Sequence, residues 1–199
     1  DNVLINMPFT ALEFGNMIIK EKGLSDVKIE KCLNVDHYDL SQKKVKIIED
    51  RLTKKSLTAL SIVCHEIGHA IQHHENYKAL EQRTLIVKKT QWITKLGNGI
   101  MLIGIPAIMA TGSYHFIKIC LLIILVSMII NLLIHIITLE VELDASFEKA
   151  FPIIKEKVPQ EYHKACKSIL LAAALTYVIG VFQQFFSLRF FWTLITRLR

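Results

Sequence analysis

The sequence predicts a mainly α, integral membrane helical protein, with a small β element near the N-terminus and a core built on one His-Glu-x-x-His helix. Three observations lead there. First, 52% of the 199 residues are hydrophobic, yet 21% are charged, and the mean hydropathy is +0.37. That is too apolar for an ordinary soluble domain and too charged for a chain that is membrane throughout. Second, the excess lies in two blocks, roughly 99–139, broken at Thr111-Gly112-Ser113-Tyr114-His115, and roughly 168–186. At about 20 residues per crossing these suit a hairpin of two spans and a single further span. Third, residues 57–72 read as an apolar helix that carries His65-Glu66-Ile67-Gly68-His69.

In chain order, the first portion, 1–95, is expected on the cytosolic side. Thr10-Ala11-Leu12-Glu13 is a capping box, and Phe14, Met17 and Ile18 give a short amphipathic helix that stops at Gly23. Val27-Lys28-Ile29 and Val45-Lys46-Ile47 alternate as strands do, and Asp36-His37-Tyr38-Asp39-Leu40-Ser41 between them reads as a polar turn. The last strand, 43–49, is expected to leave a free edge for an extended peptide. Residues 72–95 should continue as helix into the first span, with Trp92 at the membrane interface and Pro106 kinking the span. The hairpin occupies 96–139, its second span being 116–139. Segment 140–167 returns to the cytosolic side, and 168–199 forms a final span with a basic tail. There Ser168, Ala172, Thr176 and Gly180 recur every four residues, a small-residue stripe suited to packing another helix, within the chain or in a homo-oligomer.

Charge sets the expected orientation. Lys78, Arg83, Lys88, Lys89 and Lys95 precede the hairpin, and Lys149, Lys155, Lys157, Lys164 and Lys167 follow it, against Lys118 alone near the turn. Positive residues favour the cytoplasmic side, so both flanks should face the cytoplasm. A crossing by 168–186 leaves Arg189, Arg197 and Arg199 outside, against that rule, unless the span is longer and tilted with Phe190 to Trp192 at the interface. The net charge of +6 is not gathered into a basic stripe with stacking aromatics, which excludes nucleic acid as a partner. The four cysteines, Cys32, Cys64, Cys120 and Cys166, form no CxxC pair and read as reduced structural thiols. The chain opens with Asp1 and carries no cleavable signal peptide, so a further N-terminal segment is expected before it.

The chemistry lies in the helix. Residues four apart on a helix share a face, so His65 and His69 converge on one metal, while Glu66, about 100° round, flanks it as a general base. Hydrolytic zinc takes three protein ligands and leaves a fourth position for water. Gln72 and Glu75 occupy the places where a metzincin has Gly and His. His73 lies about 12 Å along the helix from His65, too far to share the metal. The acidic run after the hairpin supplies the candidates: Glu142, or its neighbours Glu140 and Asp144, which point away from it by about 160° on a helix. Spacing alone leaves open all three, and also a juxtamembrane acidic patch with no ligand in it. Tyr38, His37, Tyr162 and His163 are candidate oxyanion donors. His135 and Asn131, inside the second span, are best placed for helix-to-helix hydrogen bonds.

His65-Glu66-Ile67-Gly68-His69-Ala70-Ile71-Gln72, the hairpin, Glu142-Leu143-Asp144-Ala145-Ser146, Asp36-His37-Tyr38-Asp39 and Ala172-Ala173-Ala174-Leu175-Thr176-Tyr177 together resemble the YugP-type membrane zinc metallopeptidases over nearly the whole chain. More distantly the order resembles the HtpX-like and CAAX-prenyl membrane endopeptidases, whose glutamate sits in Glu-x-x-Ala-Asp. The resemblance implies a zinc metalloendopeptidase acting on membrane-associated protein or peptide substrates, with His65, His69 and Glu142 as ligands. Two positions depart from the patterns. Ser146 stands where the distant relatives have Asp, removing an expected carboxylate partner for a ligand histidine, and Leu40 stands where the YugP type usually has Pro. That family usually begins with a transmembrane helix not present in this sequence. Two other readings compete. An intramembrane protease would carry the motif inside a span, but Arg51, Lys54 and Lys55 before it and His73 to Lys78 after it leave too short an apolar run. A scaffold with structural zinc would need a fourth protein ligand and has no use for Glu66.

Overall fold

A computed structural model describes residues 8–104, 106 and 114–197. Contacts divide the chain into two units, Asp1–Leu80 with Glu140–Leu175, and Glu81–Leu139 with Thr176–Arg199.

The first unit begins with helix α1, Ala11–Glu21. The Thr10 hydroxyl accepts from the Glu13 amide, the Glu13 carboxylate accepts from the Thr10 amide at 2.7 Å, and Gly23 turns the chain at φ +68°. Strands β1 (Lys28–Cys32), β2 (His37–Asp39) and β3 (Lys44–Ile48) form a sheet of order β1-β3-β2. β3 runs parallel to β1 and antiparallel to β2, so it is the central strand. The free edge expected at 43–49 is therefore not there; β1 and β2 are the edges. The segment expected as a polar turn, 36–41, instead forms β2 at His37–Asp39 and turns only from Leu40 on. Its two aspartates read as turn residues, but each serves as a clamp. Asp36 accepts from the Ile48 amide at 2.7 Å and pairs with Arg51. Asp39 accepts from the Ser41 and Gln42 amides, both at 3.0 Å, and holds Lys46 at 2.8 Å. Those bonds, with the Lys46 ammonium contributing most, keep the Asp39 carboxyl well below the usual carboxylate range. Between the clamps Tyr38 pairs with Val45 and is buried.

After the single-turn helix α2, Glu49–Leu52, comes α3, Leu57–His74, capped by the Ser56 hydroxyl, which accepts from the Ala59 amide at 3.2 Å. Its Leu60, Val63 and Ile67 join Phe14 and Ile18 of α1, Val45 and Ile47 of β3, and Leu170 in one buried core. α3 does not run on into 72–95 as expected. The Tyr77 amide donates back to the Gln72 carbonyl at 2.9 Å, and Asn76 takes φ +53°, a left-handed stop that Asn tolerates. Helix α4, Lys78–Gly99, starts afresh. The unit is completed by a π-helical segment, Asp144–Ala150, helix α6, Phe151–Lys157, and the start of helix α7, His163–Arg197.

In the second unit α4 lies antiparallel to α5, Tyr114–Leu143. Arg83 Nε donates to Thr138 Oγ1 at 3.2 Å, and Gly97 faces the buried Ser127, leaving no room for a Cβ. Farther along α5, the His135 ring lies where a Cβ on Gly180 of α7 would come within 2.7 Å, so this side chain packs between helices. Among the described residues one helical run, Ile119–Lys157, is long and apolar enough to cross a membrane. Its most apolar stretch has a mean hydropathy of 2.9 with only 22% buried, the reverse of a soluble core helix. Most of the expected kink and turn at Pro106 to Ser113 lies outside the described residues.

Candidate metal centre

α3 places His65 and His69 one turn apart on the same side, their ring centroids 4.8 Å from each other. Glu142, at the end of α5, reaches both. Its Oε2 lies 3.1 Å from His65 Nε2 and 3.3 Å from His69 Nε2, and one ligand atom from each of the three residues falls within 4.8 Å of the others. The approach depends on Gly68, where a Cβ would sit 2.5 Å from the carbonyl oxygen of Ala145. With hydrogen there instead, α3 and the π-helical segment touch backbone to backbone, and Glu142 comes over the helix face.

Every member is nearly closed to solvent: His65 is 6% exposed, Glu66 7%, His69 8% and Glu142 3%. Outer partners hold the imidazoles. His65 Nδ1 is 3.0 Å from Ser146 Oγ, and His69 Nδ1 is 2.9 Å from Gln72 Oε1. Gln72 Nε2 in turn donates to the Val141 carbonyl at 2.8 Å and to Asp144 Oδ2 at 2.7 Å. The position lacking the expected carboxylate thus still partners His65, through the Ser146 hydroxyl. Burial alone would lower the proton affinity of His69, but Glu142 and Glu66 outweigh it and raise that affinity above the ordinary value. The cluster is poised to hold a cation.

Zinc fits it by geometry. Ligand bonds of about 2.0–2.1 Å in a tetrahedron put neighbouring ligand atoms about 3.3 Å apart, and the two Nε2 to Oε2 separations are 3.1 and 3.3 Å. Both histidines turn Nε2 inward and engage Nδ1 elsewhere, the usual disposition of metal-bound imidazole.

Of the other acidic candidates, Asp144 turns to Gln72, and Glu140 lies 3.4 Å from the Tyr77 hydroxyl. His73 is bonded to Tyr38, ring Nδ1 to phenol oxygen at 2.9 Å, and is not drawn into the cluster. The candidate oxyanion donors are engaged elsewhere. Burial, assisted by Asp26 and Asp39, pushes the Tyr38 phenol up to about 12. His37 Nδ1 lies 2.9 Å from the Val35 carbonyl, His163 Nε2 lies 2.7 Å from the Val158 carbonyl, and Tyr162 packs on the core. Cys64 faces away from the cluster, and burial drives its thiol far above the usual range. Sequence reasoning missed the role of Gln72, weighed Asp144 only as a metal ligand, and read Ser146 only as the loss of a carboxylate. The available signal was the place of Gln72, a polar side chain three residues after His69 and so within reach of that ring on the same helix.

Two histidines a helical turn apart, met by a glutamate from a distant segment, form a group that could hold a metal ion and is consistent with a zinc site of the metallopeptidase kind. Comparison with known proteins agrees. The chain belongs to the family described as "Putative neutral zinc metallopeptidase", which matches residues 1–196. It is similar to a Bacillus subtilis (strain 168) protein named "Putative membrane protease YugP", 31% identical over 182 residues that cover 90% of this chain and 77% of the relative. No solved structure matches.

Proposed function

We propose that this chain is a membrane-bound zinc endopeptidase that cleaves membrane-associated protein or peptide substrates at the cytoplasmic face of the plasma membrane. The observation that carries the reading is the single Glu142 oxygen shared by the inward-turned Nε2 atoms of His65 and His69, with Glu66 on the same helix beside them. His65, His69 and Glu142 would hold the metal. Zinc in such a site supplies Lewis acidity, polarising a peptide carbonyl and acidifying water. Glu66 takes the proton from the attacking water and delivers it to the leaving amine, so hydrolysis proceeds without an acyl-enzyme. Burial of all four side chains keeps bulk water from competing for the charges. The lysines flanking the apolar hairpin support a cytoplasmic site.

The deciding experiment uses the full chain in membranes. Wild type and Glu66→Gln should each bind one zinc per chain, while Glu66→Gln loses about 10²- to 10⁴-fold in proteolysis, the usual loss with a general base. His65→Ala should lose both metal and activity. Wild-type turnover by Glu66→Gln would refute the mechanism. For the orientation, a membrane-impermeant thiol reagent should leave Glu81→Cys unlabelled in intact cells, and labelling there reverses the assignment.

A further inference from the structure

Gln72 is fully buried although polar, and its amide lies between two different parts of the metal centre. Three residues after His69 on α3, it meets that ring with Oε1 at 2.9 Å from Nδ1. Its Nε2 faces the Val141 carbonyl at 2.8 Å and Asp144 Oδ2 at 2.7 Å. A carbonyl and a carboxylate only accept hydrogen bonds, so these two partners take the amide N–H groups and dictate which way the amide faces. Its oxygen is thereby turned to His69, and an acceptor at that place requires the proton on Nδ1. In the neutral ring the lone pair then falls on Nε2, the nitrogen facing Glu142, where a metal would bind.

We infer that Gln72, backed by Asp144, is a positioning residue that holds His69 in the Nδ1–H tautomer and ties that ligand to the segment delivering Glu142. The second function follows from its partners, since Val141 and Asp144 bracket Glu142 in sequence and one amide grips both. The other histidine is held less firmly. Ser146 Oγ, 3.0 Å from His65 Nδ1, is a hydroxyl that rotates to donate or accept, and its second partner, the Leu170 carbonyl, is 3.5 Å away. The two ligand histidines therefore differ, with His69 orientationally fixed and His65 adjustable.

This inference rests on the zinc reading above, and the test separates the two. Zinc affinity is measured on the full-length protein in detergent by competition with a chromophoric chelator, alongside ¹⁵N-histidine spectra of the zinc-loaded form and circular dichroism for fold. Gln72→Met keeps length and burial but can neither accept nor donate. It should bind zinc about 10- to 100-fold more weakly, the usual effect of losing an outer partner of a metal-bound histidine. The slowly exchanging His69 Nδ1–H signal of wild type should vanish with it. Gln72→Glu should also bind weakly, because it removes both amide donors and sets a carboxylate against Asp144. Adding Asp144→Asn to it restores a donor facing that carboxylate, which still accepts from His69, and should recover part of the affinity, the Val141 carbonyl remaining without its donor. Should Gln72→Met fail to fold, the Gln72→Glu pair decides alone. A folded Gln72→Met with wild-type affinity and an unchanged Nδ1–H signal overturns the inference, as does a folded double variant no tighter than Gln72→Glu. Wild type that binds no zinc removes the metal reading itself and this inference with it.

Discussion

Replacing Gly68 with alanine should separate the two halves of the metal centre without touching a ligand. The added methyl would lie 2.5 Å from the Ala145 carbonyl oxygen and 3.2 and 3.3 Å from its C and Cα. Carbon contacts are comfortable from about 3.5 Å, so the backbones must part by roughly 1 Å. The obstruction is backbone in a packed layer, not the tip of a side chain, so it cannot swing aside. Glu142 lies on the moving side, His65 and His69 on the other, and metal sites tolerate only about 0.2 Å of error in ligand distance. The displacement is several times that tolerance. Overpacking of this kind costs about 1–3 kcal/mol in stability, and zinc affinity should fall by at least about tenfold, equivalent to about 1.4 kcal/mol. Gly15→Ala is the matched control. Its methyl meets Ile29 Cδ1 at 2.5 Å and Val63 Cγ1 at 2.7 Å, side-chain atoms away from the cluster, so stability should drop while zinc affinity holds. Thermal unfolding and chelator competition on the two variants measure both quantities. Wild-type zinc affinity in a folded Gly68→Ala protein would refute the argument that this contact sets the third ligand.

Glu142→Ala should lose zinc beyond the about 10- to 100-fold typical of a missing outer partner, whereas Glu140→Ala, which removes a group facing Tyr77, should retain it. Metal analysis of the purified variants decides, and retention by Glu142→Ala with loss in Glu140→Ala would reverse the ligand assignment. Asp39 gives the sheet an acid sensitivity whose sign follows from its lowered proton affinity. The folded state favours the charged carboxylate, so its contribution is present above the usual value of 3.8 and fades as pH falls below it. Asp39→Asn should lower the melting temperature at pH 7 and match wild type near the acid end. A gap that stays constant with pH would show that the charge is not what Asp39 contributes.

Much of the local structure was legible in sequence because its causes are local. The Thr10–Glu13 capping box, the stop at Gly23 and the face shared by His65 and His69 all follow from fixed helical spacing, and all are found. The second strand was misread because two aspartates three apart look like turn residues. Their partners, Ile48 and Arg51 for one and Lys46 for the other, become visible only once β3 has folded back. The stop at Asn76 had a sequence signal, a left-handed-tolerant residue after an apolar helix, that the longer periodicity concealed.

By itself the sequence determined the chemistry available: two imidazoles and a carboxylate on one helix, an acidic run beyond a long apolar stretch, and membership in a zinc peptidase lineage. Only the tertiary structure decided which strand is central and which polar side chains hold the imidazoles, and it brings Glu142, the carboxylate implied by the resemblance, beside both histidines. Helical periodicity relates residues a few positions apart, whereas Ser146 meets His65 across 81 residues and Gln72 meets Val141 across 69. Pairings at that separation are chosen by how closely two backbones can approach, and here that is set by a missing methyl at Gly68.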